Sequence, residues 1–577
     1  MFRLVLLLVI FTLATLKLSA QDVEGFFTEI KERIANKDYF SASGRLSANG
    51  AYSAFFTENG APRRQAPFTW GLNAGLVLDV LSIKAPFAAA VSSKNTTYNL
   101  PSYSFVGLSP TYRWVTLHGG DRNMTFSPYS LAGINYRGGG VELKPGRFTF
   151  QAMRGKLRRA SIQDVGSIQN LETAFRRIGT GAKVGYRTES GSSFDVSVLH
   201  SSDRELNAPS EQNDDTLQIA RPEQNLVLTA AASHKINKLI DVSFEYGRSI
   251  LTRDVDAAPL ADPNPGLGLF GLIDPNVTTT AANAYKIAVG LQPKFGRLSI
   301  AYERIDPGYR SHGALFFQND FENFTAALSA PFFDGKVNLS VNGGVQRNDL
   351  DGQKASDLNR LIGAFTGSWQ VNKRFGINLG ASNFRNTTRV KAITRLPVIV
   401  DEVVLAQTQF SLTAGTSYLL TEDASQTLTL TSSWQRTNLI ENEEVDTSRN
   451  TSFGLLLLNY SAQFGDSGSA LGGAVMVNRN VTPATVLTTL GPSVNYQTQL
   501  FDQQVSFQSG LSYSRVFTGE AAGANGGVVQ AQIGGGYRLG KRQSVQLSST
   551  LLHAGDTAAA KGYTDFRLTL NYGYTFN

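Results

Sequence analysis

The chain contains no cysteine. That excludes a disulfide framework, thiolate metal sites and a lipid-modified cysteine behind an export signal. Histidine is scarce: His118, His200, His234, His312 and His553 show no paired ligand spacing, so neither a zinc site nor a hydrolase is supported. Charged residues are only 17%, and the net excess of +7 is spread along the chain instead of clustering as nucleic-acid binding requires. Long apolar runs are missing after the N-terminus, which excludes membrane-spanning helices of about 20 residues.

What the chain does contain is glycine and aromatics, 55 Gly, 35 Phe and 20 Tyr among 577 residues, and a hydrophobicity that alternates. Val337, Leu339 and Val341 alternate with Lys336, Asn338 and Ser340, and Phe194, Val196 and Val198 with Asp195 and Ser197. A period of two gives each strand one apolar and one polar wall. The C-terminal TDFRLTLNYGYTFN is the most regular case: Phe566, Leu568, Leu570, Tyr572, Tyr574 and Phe576 occupy every second position. A soluble sandwich and a transmembrane barrel both use such strands.

The ends and the connections separate the two. Residues 1–20 read as a cleaved signal peptide, with Arg3, an apolar stretch from Leu4 to about Leu16, and Leu18-Ser19-Ala20 before Gln21. Residues 21–43 hold Val23, Phe26, Phe27, Ile30 and Ile34 at helical spacing, which predicts a short amphipathic helix, periplasmic or lumenal. From residue 44 to 577, tight connections (333–336, 371–376, 421–425, 464–469, 501–504, 539–542) alternate with long ones (202–224, 252–283, 306–321, 347–358, 386–404, 438–450, 517–527). An up-and-down barrel in an outer membrane has short periplasmic turns and longer external loops, whereas Greek-key connections keep no such parity. The expected fold is a single all-β antiparallel transmembrane barrel of about 26 strands, within a range of 22 to 28, both termini periplasmic. The terminal strand is expected to close it against residues 44–56.

Residues 43–160 include LSPTYRW at 108–114, RNMTFSPYSLAG at 122–133 and GGGVELKPGRF at 138–148. Over this block the chain resembles an uncharacterised family of outer-membrane β-barrel proteins of Bacteroidota. ASGRLSANGAYS and PFTWGLNAGLVLDVLSIKAPF fit the same block. It implies fold and location and supplies no catalytic or binding residues.

Motifs with chemical associations have plainer readings. Gly465-Asp466-Ser467-Gly468 matches a serine-protease nucleophile motif but lies between two alternating strands, where these are turn residues. Gly266, Gly268 and Gly271 have dinucleotide-fingerprint spacing but sit among Pro263, Pro265 and Pro275, where no helix follows. Asp349, Asp351 and Asp357 are weak calcium candidates in a loop lacking the closing Glu of an EF-hand. Glu441, Glu443, Glu444 and Asp446 form an acidic loop of the same status. No catalytic residue, cofactor site or enzymatic activity is expected.

Arg147, Arg154, Lys156, Arg158 and Arg159 crowd one strand. Alternation predicts Arg154 and Arg158 in the outer headgroup zone, against lipopolysaccharide, and Arg147 and Arg159 in the lumen or its mouth, where cationic rings favour anions. The expected function is a passive solute pore narrowed by inward-folded loops at 202–224, 252–283 and 386–404. The alternative is a non-enzymatic scaffold or a barrel filled by a lumenal or periplasmic protein partner. The aromatic terminus is expected to be read by the barrel-assembly machinery.

Overall fold

The computed structural model describes residues 20–576 apart from 37–38, 58–65, 94–104, 161–173, 205–220, 262–270, 315–317, 392, 396–397, 401–402, 443, 466–467, 520–525 and 557–560. The signal-peptide reading therefore lies outside the described residues, except for Ala20.

Each strand pairs antiparallel with its neighbours in sequence, and the last closes on the first, from Gly44 opposite Phe576 to Thr57 opposite Tyr563. The expected closing partner, residues 44–56, is the one found. The sheet has 27 segments, but Phe105–Leu108 and Thr111–Tyr112 are halves of one strand, both pairing with Val115–Asn123, so the barrel has 26 strands. Pro110 lies in the break, where its missing N–H costs no ladder bond. At the usual strand spacing and tilt, a closed sheet of this size is roughly 50 Å across between backbone walls.

Register carries a single parity around the barrel. Leu46 faces Tyr574, Tyr52 faces Leu568, and Leu547 faces Leu570, so the apolar alternates share the outward face. Towards the short-turn end this face carries Tyr418, Tyr460, Tyr496, Tyr537 and Tyr572. Towards the long-loop end it carries arginine. Arg347, Arg385, Arg436, Arg479 and Arg515 each stand ten residues beyond the short-turn start of their strands, Val337, Phe375, Gln426, Ser469 and Val505. Ten residues at about 3.3 Å each, tilted by about 40°, climb about 25 Å, the height of an outer-membrane apolar band.

The turn parity is as expected, but two connections are shorter. The strands Gln426–Glu441 and Glu444–Phe464 leave only 442–443 between them, so most of the expected long acidic loop at 438–450 is paired strand. Val390 is followed by the small hairpin Ile393–Arg395 with Val398–Val400. The N-terminal helix, Ala20–Ala35, docks on a short-turn hairpin. Ser82 Oγ donates to Glu29 (2.5 Å), and Arg33 pairs with Asp79 at 3.2 Å.

Candidate functional site

Two long-loop connections fold into the bore. The first, residues 124–134, is MTFSPYSLAG from the RNMTFSPYSLAG stretch plus Ile134. Met124, Phe126, Tyr129, Leu131 and Ile134 are buried. An uncharged, apolar connection held out in water would leave that surface wet; turned inward it buries it against the wall. Inward-facing glycines make the space. A Cβ at Gly181 would come within 2.6 Å of the Phe126 ring, and one at Gly247 within 2.6 Å of the Tyr309 hydroxyl. Wall side chains then hold the loop. Ser127 Oγ donates to Glu245 (2.5 Å), Tyr129 OH to Glu303 (2.8 Å), and Lys183 Nζ to the Phe126 carbonyl (3.0 Å).

The second connection, residues 306–320, is strapped to the first. Ala132 N donates to Gly313 O (2.9 Å) and Tyr309 OH to Tyr129 O (2.9 Å), with the two tyrosine rings edge to face at 6.2 Å. Below it lies a buried ionic network. Arg177 holds Asp203 through two 2.7 Å bonds and Glu223 through a third; its side chain is 6% exposed and that of Asp203 0%. Arg158 adds a 3.0 Å bond to Asp203, and Arg310 a 2.9 Å bond to Glu223. His312 sets Nδ1 2.9 Å from Ser201 Oγ, and its Nε2 makes a long, poorly directed contact with Glu223 at 3.3 Å. Asn225 donates to Arg310 O (3.2 Å) and Ser249 Oγ (3.0 Å).

Such a cluster is costly to desolvate, so each charge must be paired. Burial holds the His312 imidazole down at about 4, the charges of Arg177 and Arg310 opposing the facing Glu223. Burial alone would raise the Glu223 carboxyl, but His312, Arg310 and Arg177 together bring it down to about 2. Burial raises the Tyr129 and Tyr309 phenols, so both stay neutral donors.

The expected lining residues are not brought together. Arg147 lies in a short turn, exposed and paired with Glu189 of the next short turn, while Arg159 lies exposed past the opposite end of the strand. Arg158 does not reach the headgroup zone: a register shift after Lys156 turns it inward onto Asp203. Arg154 and Lys156 keep the outward parity. Of the loops expected to narrow the bore, 202–224 supplies Asp203 and Glu223 at its ends, its middle lying outside the described residues. In 252–283, Ile273 packs instead on Leu226 and Ile250, whose register is outward, so that segment folds over the lip. Side chains in most of 391–403 lie outside the described residues.

Asp349 is taken by Lys391 and the Lys354 amide, Asp351 by the Gln353 amide and Asp357 by Asn359, and no cluster of three potential metal ligands forms among the described residues. Gly465 and Gly468 adopt positive φ as turn residues, while Asp466, Ser467, Gly266 and Gly268 lie outside the described residues. The terminal alternates Phe566 to Phe576 all have outward parity, with Tyr574 and Phe576 edge to face at 4.7 Å.

Among the described residues nothing covers the opposite wall. One inner groove is lined by Gln497, Gln499, Ser506, Gln508, Gln546 and Asn571, another by Asn338, Ser340, Thr366, Asn378, Thr413 and Thr431. Amides and hydroxyls replace the charges of the plugged side.

No family model matches the chain, and no curated protein matches it. Among solved structures it is similar to the P pilus usher (PapC) translocation pore, at 12% identity over 93% of this chain and 99% of that one, with a TM-score of 0.35. It is also similar to the FrpB iron transporter of Neisseria meningitidis, at 10% identity over 93% and 81%, TM-score 0.39. OccAB2 of Acinetobacter baumannii gives 9% identity over 94% and 99%, TM-score 0.28. At these identities and scores the likenesses carry no argument about function.

Proposed function

We propose that the protein is an outer-membrane pore for solutes, without enzymatic activity, narrowed on one side by the inward connections 124–134 and 306–320. One observation carries the reading: the plug covers one wall of a wide closed barrel, and among the described residues nothing covers the polar wall across from it. Solutes are then sorted by the remaining gap and by wall charge. The apolar outer face supports membrane placement, with short turns periplasmic and long loops external. Export through a cleaved signal at residues 1–20 belongs to the same reading.

Planar-bilayer recording of the purified chain tests this. Steady conductance is expected; electrical silence, with the N-terminal helix present or removed, refutes it. A second reading is favoured by exposed Ile34 on the helix and Tyr39 and Phe40 shortly after it, at the short-turn mouth. These suit a periplasmic protein partner that fills or caps the barrel, and a complex co-purifying only with the intact helix is its signature. The terminal alternates serve as the assembly signal in either case. Phe576→Ala, or loss of the last few residues, is expected to block insertion, read as failure to reach the heat-modifiable membrane form.

A further inference from the structure

On the outward face, at the long-loop end of four adjacent strands, cations stand against cations. Arg137 lies directly opposite Lys156, and Arg176 directly opposite Arg204. Arg154 shares the face two positions below Lys156. Among the described residues the face offers one carboxylate, Asp121, which Arg137 holds by two bonds of 2.7 and 2.6 Å. Like charges directly opposite in a ladder are destabilising. The single charge of Asp121 also reaches Lys156, but no described carboxylate on this face lies opposite Arg154, Arg176 or Arg204.

Below them, past Thr180, His200 and Ser202, the same face is apolar, with Phe150, Ala152, Val184 and Val196. The far wall differs. Arg436, Arg479 and Arg515 stand singly, opposite Ser452, Thr488 and Leu490. The face on strands Asn135–Leu143, Phe148–Arg158, Arg176–Arg187 and Ser193–Arg204 is therefore built differently from the rest of the girdle.

We infer that this patch is a binding site for a phosphorylated glycolipid of the outer leaflet, its phosphate groups between the two cation pairs and its acyl chains on the apolar strip beneath. Arginine forks match phosphate oxygens in bidentate geometry, and charge-assisted bonds of this kind are the strong ones. Free phosphate would have no use for the apolar floor, and a lipid with one phosphate would meet only one of the pairs. The inference rests on the outer-membrane placement proposed above, and the two fail separately: cell fractionation tests placement, lipid retention tests the site.

The test is native mass spectrometry of the full chain in detergent. The probes are diphosphorylated lipid A, its monophosphorylated form, phosphatidylglycerol and inorganic phosphate. Diphosphorylated lipid A is expected to survive detergent washing and to be retained above the monophosphorylated form. The combined variant R154Q/K156Q/R176Q/R204Q should lower its retention by about tenfold or more. The far-wall variant R436Q/R479Q/R515Q should leave it unchanged, and the charge-preserving R154K/R176K, which checks folding, should keep most of it. Equal retention of phosphatidylglycerol, equal loss in the far-wall variant, or complete displacement by inorganic phosphate would each overturn the site.

Discussion

The strands between Val115 and Ile305 and those between Val403 and Phe576 present the same alternating face outward, yet their inner faces are built on opposite plans. The first set carries Lys183, Asp203, Glu245 and Glu303 inward and removes side chains at Gly181 and Gly247. The second carries mostly Ser, Thr, Asn, Gln and Gly, with Arg538 near the short-turn end and Asp565 and Arg567 towards the long-loop end. Two loops cover the first inner face, and none among the described residues covers the second. A charge on a water-filled wall needs no partner, whereas one beneath a loop is desolvated and must be paired. Paired charge is therefore the mark of the covered wall, and amide and hydroxyl chemistry the mark of the wall left wet.

The largest effect expected from breaking this contrast is at Arg177. Arg177→Ala strips the fully buried Asp203 of two bonds and Glu223 of one, a loss of about 3–5 kcal/mol by analogy with other buried pairs. The docked loops should release, raising single-channel conductance and opening 306–320 to protease. Gln508→Ala on the bare wall should do neither. If conductance in Arg177→Ala stays at the parent value, the two loops are not the constriction.

A smaller contrast lies in the glycines. Gly247→Leu drives a side chain into Tyr309 and Tyr129 and should cost about 1–3 kcal/mol through overpacking. At Gly534 an added methyl meets only the flexible Gln508 side chain, which can swing into the open bore, so Gly534→Ala should stay within about 0.5 kcal/mol. Thermal conversion of the folded to the heat-modified form on gels measures both. Equal shifts would mean that the first wall is no tighter than the second.

Acid should act on the covered wall alone. His312 titrates at about 4 when docked, below its ordinary 6.5, so released loops bind the extra proton and docking weakens as pH falls from 6.5 to 4. Glu223, held at about 2 against an ordinary 4.5, loses its contribution as pH falls from 4.5 towards 2. Conductance should therefore rise in two stages on acidification. His312→Gln should remove the upper stage and keep the lower. A flat profile from pH 7 to 4 in the parent chain would show that loop docking is not coupled to His312.

How far the molecule was legible in its sequence follows from the range of each signal. Strand count, turn parity and closure of Phe566–Phe576 on residues 44–56 are written in a period of two, which needs no tertiary information. The plug is not periodic. Length pointed to 202–224, 252–283 and 386–404, whereas the connections that enter are 124–134 and 306–320, and the first of these is short. Its signal was composition: a connection without a charge from Met124 to Ile134, next to strands with inward glycines at 138, 140, 179 and 181. The Arg158 reversal was out of reach, because a one-residue register shift swaps faces and leaves no trace in alternation.

The smallest expected effect sharpens the comparison from the bare side. Gln508 and Gln546 line the same inner groove, so Gln508→Glu with Gln546→Glu places two carboxylates on a wall that has amides there. In 0.1 M salt their field fades over about 10 Å, against a bore roughly 50 Å between backbone walls, so most of the open section lies beyond their reach. The reversal potential in a salt gradient should move towards cation preference by a few millivolts only, and less still in Arg177→Ala, where the open section is wider. A large shift would mean that ions are confined along this wall and that the plug fills far more of the bore than its contacts with the first wall require. No shift, even at 0.01 M salt, where the field extends about 30 Å, would mean that the current does not pass along the amide-lined wall.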